Sequence, residues 1–329
     1  MSHRPKSFFW AAGHDDGSTW YRGSLPARYM TARGYDAACF RQSAASFVAG
    51  ADLIIGQRVS REGPTALWQQ WARQGRRLAF DLDDDLWAFP PENEAARTEY
   101  GGAGGQRLLD NVRAASVVTT VTPALAEVAQ RVAPGVPTVV VPNGLPAAWL
   151  AHRRPRRERV VLGWAGSQLT VPDLRTLLPV LRRFLAGRHE VELHLVGVGY
   201  QPIPEVADLP NVRITPWVSG VEQYLRVIDF DVWVAPWRPL RMNEHRYWSK
   251  AMEAGFLGIP LLSSPVGAYR DVPGPHPANP HAWLSHLAAL VTDAERREHF
   301  GTTGREWACQ FVMEDVVRRW LALVKEGTS

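Results

Sequence analysis

Residues 243–271 read NEHRYWSKAMEAGFLGIPLLSSPVGAYRD, an apolar helical pattern with a charged stripe running through it. Arg246, Lys250 and Glu253 stand at i, i+4 and i+7, the spacing that puts three side chains on one helical face. Ala251, Met252, Ala254, Phe256 and Leu257 supply the faces to be buried. Gly258 ends the helix, because glycine takes the left-handed backbone that closes a last turn. The following run, residues 259–264, reads as a short buried strand, so the stripe lies beside a sheet. Two cations and a carboxylate so placed suit a phosphorylated sugar: the cations meet phosphate oxygens and the carboxylate accepts from ribose hydroxyls. An internal ion pair of Lys250 with Glu253 on a half-exposed helix is the plainer account of the same residues.

Lysine usage bears on that choice. Of 37 Lys and Arg residues only Lys6, Lys250 and Lys325 are lysines, and two of these lie near the chain ends. One internal ammonium kept among so many guanidinium groups points to a need for a compact point charge at 250.

Working outward, 329 residues exceed a typical single domain and predict two of about 150 residues each. Strand-like runs at 7–12, 53–56, 78–82, 117–122 and 138–141 alternate with helical segments, which predicts a parallel sheet. The alternation resumes at 160–164, 192–196, 212–215, 232–235 and 260–262. Thr122 with Pro123 opens a helix over 123–132, and Ser219 with Glu222 reads as a capping box. A helix over 173–185 carries Pro179 inside it, which argues against its continuity. Residues 314–326 form an amphipathic pattern. Between the two halves runs HRRPRRER, residues 152–159. It reads as a solvated linker at the domain boundary, with a peripheral membrane or nucleic-acid patch as the other account.

Composition narrows the class. No apolar run approaches the roughly 20 residues a bilayer span needs, and the N-terminal segment lacks the apolar core of a secretory signal. Cys39 and Cys309 lie far apart without metal-ligand spacing, which predicts a reduced, cytoplasmic setting. A net charge of +4 permits anionic ligands without choosing among them.

The segment 243–271 resembles the donor-binding segment of retaining glycosyltransferases of family 4, which have the GT-B fold. The likeness rests on N-x2-R-x3-K-x2-E-A followed by G-I-P and G-A-Y-R-D. Further pieces fall in the family's order: VVVPNGL at 139–145, VVLGWAGS at 160–167, VELHLVGVG at 191–199, NVRITPWVSGVEQYL at 211–225 and DFDVWVAPW at 229–237. The resemblance implies an α/β chain with two Rossmann-like domains facing each other across a cleft. These are an acceptor-side domain, 1–152, a nucleotide-sugar domain, 153–312, and a terminal helix, 313–329, crossing back to the first. It implies sugar transfer from a nucleotide diphosphate sugar with retention of anomeric configuration, no divalent metal and no other cofactor.

On that basis Lys250, Arg246 and Glu253 are the candidate catalytic residues. Gly166, Ser167, Gly197, Trp217, Val218, Asn243, Glu244 and His245 join them in donor binding. Small residues after the 160–164 strand let backbone amides approach a diphosphate. No basic residue follows there before Arg175, which shifts the phosphate role onto Arg246 and Lys250. Gly197 and Gly199 do not complete GxGxxG, so a nicotinamide enzyme is a poor alternative. The family's E-x7-E pair keeps its second member as Glu253, but His245 stands where the first is expected. That departure leaves open a non-catalytic descendant of the fold that binds carbohydrate or a protein partner.

The acceptor side is read at Gly17 and Arg22 of the loop 13–22, and at Asp81, Asp83 and Asp84 of FDLDDDLW. The aspartates, with Asp85, fit a metal-binding D-x-D, an acidic loop for acceptor hydroxyls or a solvated helix cap; the resemblance favours acceptor hydroxyls. Trp20, Trp87, Trp164, Trp237 and Trp248 could stack on sugars or pack in the core. His276, His281 and His286, spaced by five, do not align on a helix and carry no metal assignment. The acceptor itself, whether glycan, lipid-linked sugar, natural product, protein or modified nucleic acid, is not encoded legibly, nor is the oligomeric state.

Overall fold

A computed structural model describes residues 5–12, 17–42, 48–152, 157–199 and 203–325. Residues 13–16 of the expected glycine loop, 153–156 of the arginine-rich linker, 200–202 after the GVG turn and 326 of the terminal helix lie outside the described residues. The chain forms two compact units. One comprises 1–144, 244–247 and 311–329, the other 145–243 and 248–310.

The first unit holds six strands: β1 Lys6–Trp10, β2 Asp36–Phe40, β3 Leu53–Gln57, β4 Leu78–Leu82, β5 Val117–Thr120 and β6 Thr138–Val140. They pair in parallel in the order β2-β1-β3-β4-β5-β6. Burial on both faces explains the apolar openings of β3, Leu53 to Ile55, and β4, Leu78 to Phe80. β2 was not anticipated: it is an edge strand with no fully buried residue, so it lacks the apolar run that marks the others. The helix Pro123–Val132 starts as expected, with the Thr122 hydroxyl accepting from Leu125 N at 3.1 Å. The terminal helix Met313–Lys325 gives Met313, Val316, Val317, Trp320 and Val324 to the core formed by Phe9, Leu25 and Leu53. There the Trp320 ring meets Phe9 edge-on at 5.4 Å.

The second unit holds β7 Val160–Ala165, β8 Val191–Val196, β9 Val212–Thr215, β10 Val232–Ala235 and β11 Leu261–Ser263, parallel in the order β11-β10-β7-β8-β9. Pro179 does interrupt its helix: the segment divides into Val171–Arg175 and Leu178–Leu185, with the proline in the first turn of the second, where its missing N–H is not needed. The capping box at Ser219 and Glu222 does not form. The helix is Val221–Val227, its N-cap is Gly220 at φ 87°, and Ser219 stands one residue too early.

Both sheets are doubly wound, with strand order reversing between β1 and β3 and between β7 and β10. Ligands of such sheets sit beyond the carboxyl ends of the strands flanking the reversal. Among the described residues no helix is long and apolar enough to cross a membrane.

The expectation of one helical stripe from Arg246 to Glu253 is corrected. A short helix, Arg241–His245, ends before it, and the apolar helix begins at Ser249 and runs to Leu257. Residues 246–248 leave helical geometry where the chain passes from the first unit, which holds Arg246 and Tyr247, to the second, which begins again at Trp248. Tyr247 is buried and its hydroxyl donates to the Asn143 carbonyl at 3.1 Å, while the Thr122 hydroxyl donates to the His245 carbonyl at 3.0 Å. Gly258 closes the helix at φ 65°, as the sequence required.

Candidate functional site

In the second unit three expected donor residues come together at the carboxyl edge of β7, β8 and β9. Gly166 N donates to the Val196 carbonyl and Gly197 N to the Thr215 carbonyl, at 3.0 and 2.9 Å. Gly197 takes φ 85°, and a Cβ there would strike the Gly166 carbonyl and lie 3.7 Å from the Trp217 ring. Only glycine satisfies both conditions, so the turns after β7 and β8 pack backbone against backbone at this edge. Ser167 and Val218 are half-buried beside these positions, and Trp217 is 57% exposed, unusual for so large an apolar ring.

The helix Ser249–Leu257 follows β10, the other strand at the reversal. Lys250 and Glu253, at i and i+3, share a face of it. Gly255 lets the helix approach Ala294–Ala308 closely; a Cβ at 255 would lie 2.6 Å from that of Ala308. Glu253 is buried, and its Oε2 accepts from the Tyr224 hydroxyl at 3.0 Å. Burial, reinforced by the Glu253 charge, pushes the Tyr224 phenol well above its ordinary pKa, so it remains a donor at neutral pH. Nothing in the local pattern marks Tyr224, which lies on the helix Val221–Val227.

Asn243, expected at the donor, is buried. Its amide donates to Asp173 Oδ1 at 3.3 Å and to the Arg238 carbonyl at 3.0 Å. Arg238 Nε donates to the same Asp173 oxygen at 2.9 Å, so these groups brace the loop after β10. The aromatic residues divide likewise. Trp164 is buried and Trp237 stacks on Tyr269 at 3.8 Å, both in the interior. Trp248 packs towards Trp307 and Trp20 towards Tyr21.

In the first unit the aspartates after β4 are dispersed onto separate partners. Asp81 and Arg22 are both buried: Arg22 Nη2 donates to Asp81 Oδ1 at 2.7 Å and Nε to Oδ2 at 3.1 Å. Thr119 Oγ1 donates to Asp81 at 2.6 Å, and the Arg22 guanidinium lies 4.9 Å from the Trp320 ring centroid. This pair, expected to face an acceptor, is instead an internal strut. Asp83 is gripped by Arg58, Asp84 lies 3.5 Å from Arg246 Nη2, and Asp85 lies 2.7 Å from His245 Nδ1. Arg246 thus stands with the aspartate loop and not on the helix of Lys250. Glu244 is half-buried one residue before His245, and Gly17 opens the turn Gly17–Thr19, whose Ser18 hydroxyl accepts from Arg58 Nη2 at 3.0 Å. Among the described residues no three His, Cys, Asp or Glu side chains converge as a metal cluster. Arg58 escaped the sequence reading, because nothing in GQRVS marks an arginine in a left-handed backbone.

Solved structures share this architecture. HepE from Anabaena, in complex with UDP and glucose, matches with a TM-score of 0.71 at 13% identity, over 98% of this chain and 100% of that one. Sucrose-phosphate synthase from Thermosynechococcus elongatus gives 0.71 at 14% identity, over 98% and 99%. The fold is GT-B. TarM of S. aureus matches at 0.60 with 13% identity over 83% of this chain, which spans about half (54%) of TarM's length. No family model matches the sequence, and no curated protein matches it. Identities this low carry the GT-B architecture and leave the chemistry to the residues.

Proposed function

We propose that this chain is a glycosyltransferase that binds a nucleoside diphosphate sugar in its second unit and passes the sugar to an acceptor taken up by its first. One observation carries the reading: Gly166 and the positive-φ Gly197 pack together at the carboxyl edge of β7 and β8, and the helix bearing Lys250 and the buried Glu253 follows β10, the other strand at the reversal. The Lys250 ammonium meets a diphosphate, while a carboxylate fixed by Tyr224 accepts from ribose. The exposed Trp217 ring offers a flat apolar surface beside the same edge. The role of Lys250 is to stabilise the negative charge that develops on the leaving diphosphate, the kind of preorganised help that dominates many barrier reductions. No divalent metal is assigned to the diphosphate in this reading.

Related folds support uridine diphosphate as the first donor to try: HepE is described in complex with UDP-glucose, and the pneumococcal O-GlcNAc transferase GtfA in complex with UDP and GlcNAc. The deciding experiment is calorimetry with UDP, ADP and GDP, followed by incubation with the matching sugar nucleotides. Saturable binding of one diphosphate that weakens in Lys250→Ala supports the reading. Absence of binding by all three refutes it.

A further inference from the structure

We propose that the second unit carries a further anion site, at the end of its sheet opposite the donor edge, and that this site takes a phosphomonoester with an apolar body. It is built from residues of that unit alone and stands whether or not the chain transfers a sugar.

The helices Leu178–Leu185 and Pro280–Thr292 share one core with Leu193 of β8, to which the first gives Leu181, Phe184 and Leu185 and the second Trp283, Leu287 and Leu290. At the surface a cavity of about 380 Å³ opens between them, a size that holds a small molecule. His281, Leu284, Ser285 and Ala288 stand at i, i+3, i+4 and i+7, so the longer helix gives the cavity one continuous face. Arg183, Phe184 and Arg188 line it from the other side. Leu284 and Ala288 are half-buried and apolar, while Arg183, His281 and Ser285 form an exposed polar rim. The Arg188 guanidinium lies 4.6 Å from the Phe184 ring centroid, a cation–π contact, and its Nη1 donates to the Phe184 carbonyl at 3.5 Å.

Charge is unbalanced at this cavity. Neither helix carries an acidic side chain, and no carboxylate lines the space between them. The neighbouring arginines are matched: Arg175 pairs with Glu205 at 3.1 Å and Arg182 with Asp208 at 2.5 Å. Among the described residues Arg183 has no such partner, and the Arg188 guanidinium meets only the ring and carbonyl of Phe184. Guanidinium groups grip phosphate oxygens through parallel hydrogen bonds, and both arginines keep donors for that. His281 adds a ring donor in the first turn of its helix, where the backbone partial charge is positive. The rim therefore suits a phosphate, and Leu284 and Ala288 beside it suit the apolar body of its ester.

The cavity is separate from the donor edge. Val160 N donates to the Glu190 carbonyl at 3.0 Å and Val191 N to the Arg188 carbonyl at 3.3 Å, which fixes residues 188–190 at the amino ends of β7 and β8. Gly166 and Gly197 follow the other ends of these strands, each of 6 residues, so about 20 Å of strand lies between. One diphosphate does not reach both.

The test titrates the full chain with phenyl phosphate, whose ring and anion match the floor and the rim, and with inorganic phosphate and phenol as its two halves. Calorimetry should show saturable binding of phenyl phosphate, weaker binding of inorganic phosphate and none of phenol. The double change Arg183→Gln and Arg188→Gln should weaken phenyl phosphate about tenfold or more, the scale of a lost charge-assisted contact. Ser285→Asp, an exposed substitution that leaves both arginines in place, should weaken it too, and Lys250→Ala should bind it as the parent chain does. The His281 ring protons should shift in NMR spectra as the site fills. Binding that survives the arginine and Ser285 changes but falls in Lys250→Ala puts the anion at the donor edge and overturns the proposal. So does a chain that binds no phenyl phosphate. Capture by phosphatidylcholine vesicles carrying phosphatidic acid, without binding of any soluble phosphomonoester, overturns it in favour of a lipid headgroup.

Discussion

Arg58 holds Asp83 through two parallel hydrogen bonds, Nε to Oδ1 at 2.5 Å and Nη2 to Oδ2 at 2.6 Å, from a backbone at φ 49°. A non-glycine residue in that region costs about 1–3 kcal/mol and persists only where its surroundings demand it. Ala12, at φ 48°, follows β1 as Arg58 follows β3, so both strained positions flank the strand reversal of the first sheet. The strain is spent where ligands bind such sheets, and it aims a guanidinium across the loop after β4.

The neighbouring aspartates should respond to pH in opposite senses. Burial works against the Asp83 charge, but the Arg58 guanidinium, aided by Ser18 and Arg22, outweighs it and leaves the carboxyl below its ordinary 3.8. For Asp84 burial prevails over Arg246 and Arg58, and the carboxyl lies above 3.8. A depressed carboxyl contributes stability that is present above the unfolded value and lost as pH falls through the folded one. A raised carboxyl costs stability once pH exceeds its folded value. Asp83→Asn should therefore lose about 1.5–3 kcal/mol near neutral pH, a deficit that shrinks below about pH 4, while Asp84→Asn should be neutral or stabilising at neutrality. Urea unfolding of both variants at the two pH values reads the difference, and equal destabilisation at neutrality would refute it.

Asp81 and Arg22 make a second, separable prediction. Removing one partner strands a buried charge, so Asp81→Asn and Arg22→Met should each cost about 3–5 kcal/mol. Replacing both at once should cost less than the two losses added, because neither charge is left behind. Simple additivity in denaturant titrations would show that the pair is not coupled.

What the sequence revealed and what it concealed follow from range. The β3 and β4 strands and the Thr122 cap are specified within a few residues, by apolar runs or a hydroxyl before a proline, and were legible. The break at 246–248 is imposed by Asn143, Thr122 and Asp85, each more than 100 positions away, while the local pattern from Arg246 to Leu257 is a sound helix. Likewise FDLDDDLW shows four aspartates but not that Arg22, Arg58, His245 and Arg246 come to meet them. The meeting of Gly166 and Gly197 was legible because the alternation of strands and helices places the residues after β7 and β8 at one sheet edge.

Glu253 and Tyr224 should behave as a unit towards the nucleotide. Glu253→Gln should weaken binding of the free nucleoside diphosphate as well as of the donor, since the proposed contact is to ribose and not to the transferred sugar. Tyr224→Phe keeps the ring and removes the donor to Oε2, so it should weaken the same binding by a smaller factor, about 0.5–1.5 kcal/mol. Calorimetry that finds nucleoside diphosphate affinity unchanged in Glu253→Gln would remove this carboxylate from the donor site.

Chelation and loss of the Lys250 ammonium should separate two ways of stabilising the leaving group. An ion held by the aspartates after β4 would supply much of that stabilisation, and its removal would abolish turnover. The four carboxylates are instead turned onto Arg22, Arg58, Arg246 and His245, a geometry that spends their charge within the protein. If Lys250 carries the load, as proposed, Lys250→Ala should lower sugar-nucleotide cleavage at least tenfold, the loss of a charge-assisted contact of about 1.5–3 kcal/mol, without unfolding the chain. Wild-type turnover should survive EDTA. Turnover that falls on chelation and returns with Mn²⁺, beside near-normal kinetics in Lys250→Ala, would transfer the role to a metal and force the aspartates to rearrange on binding it.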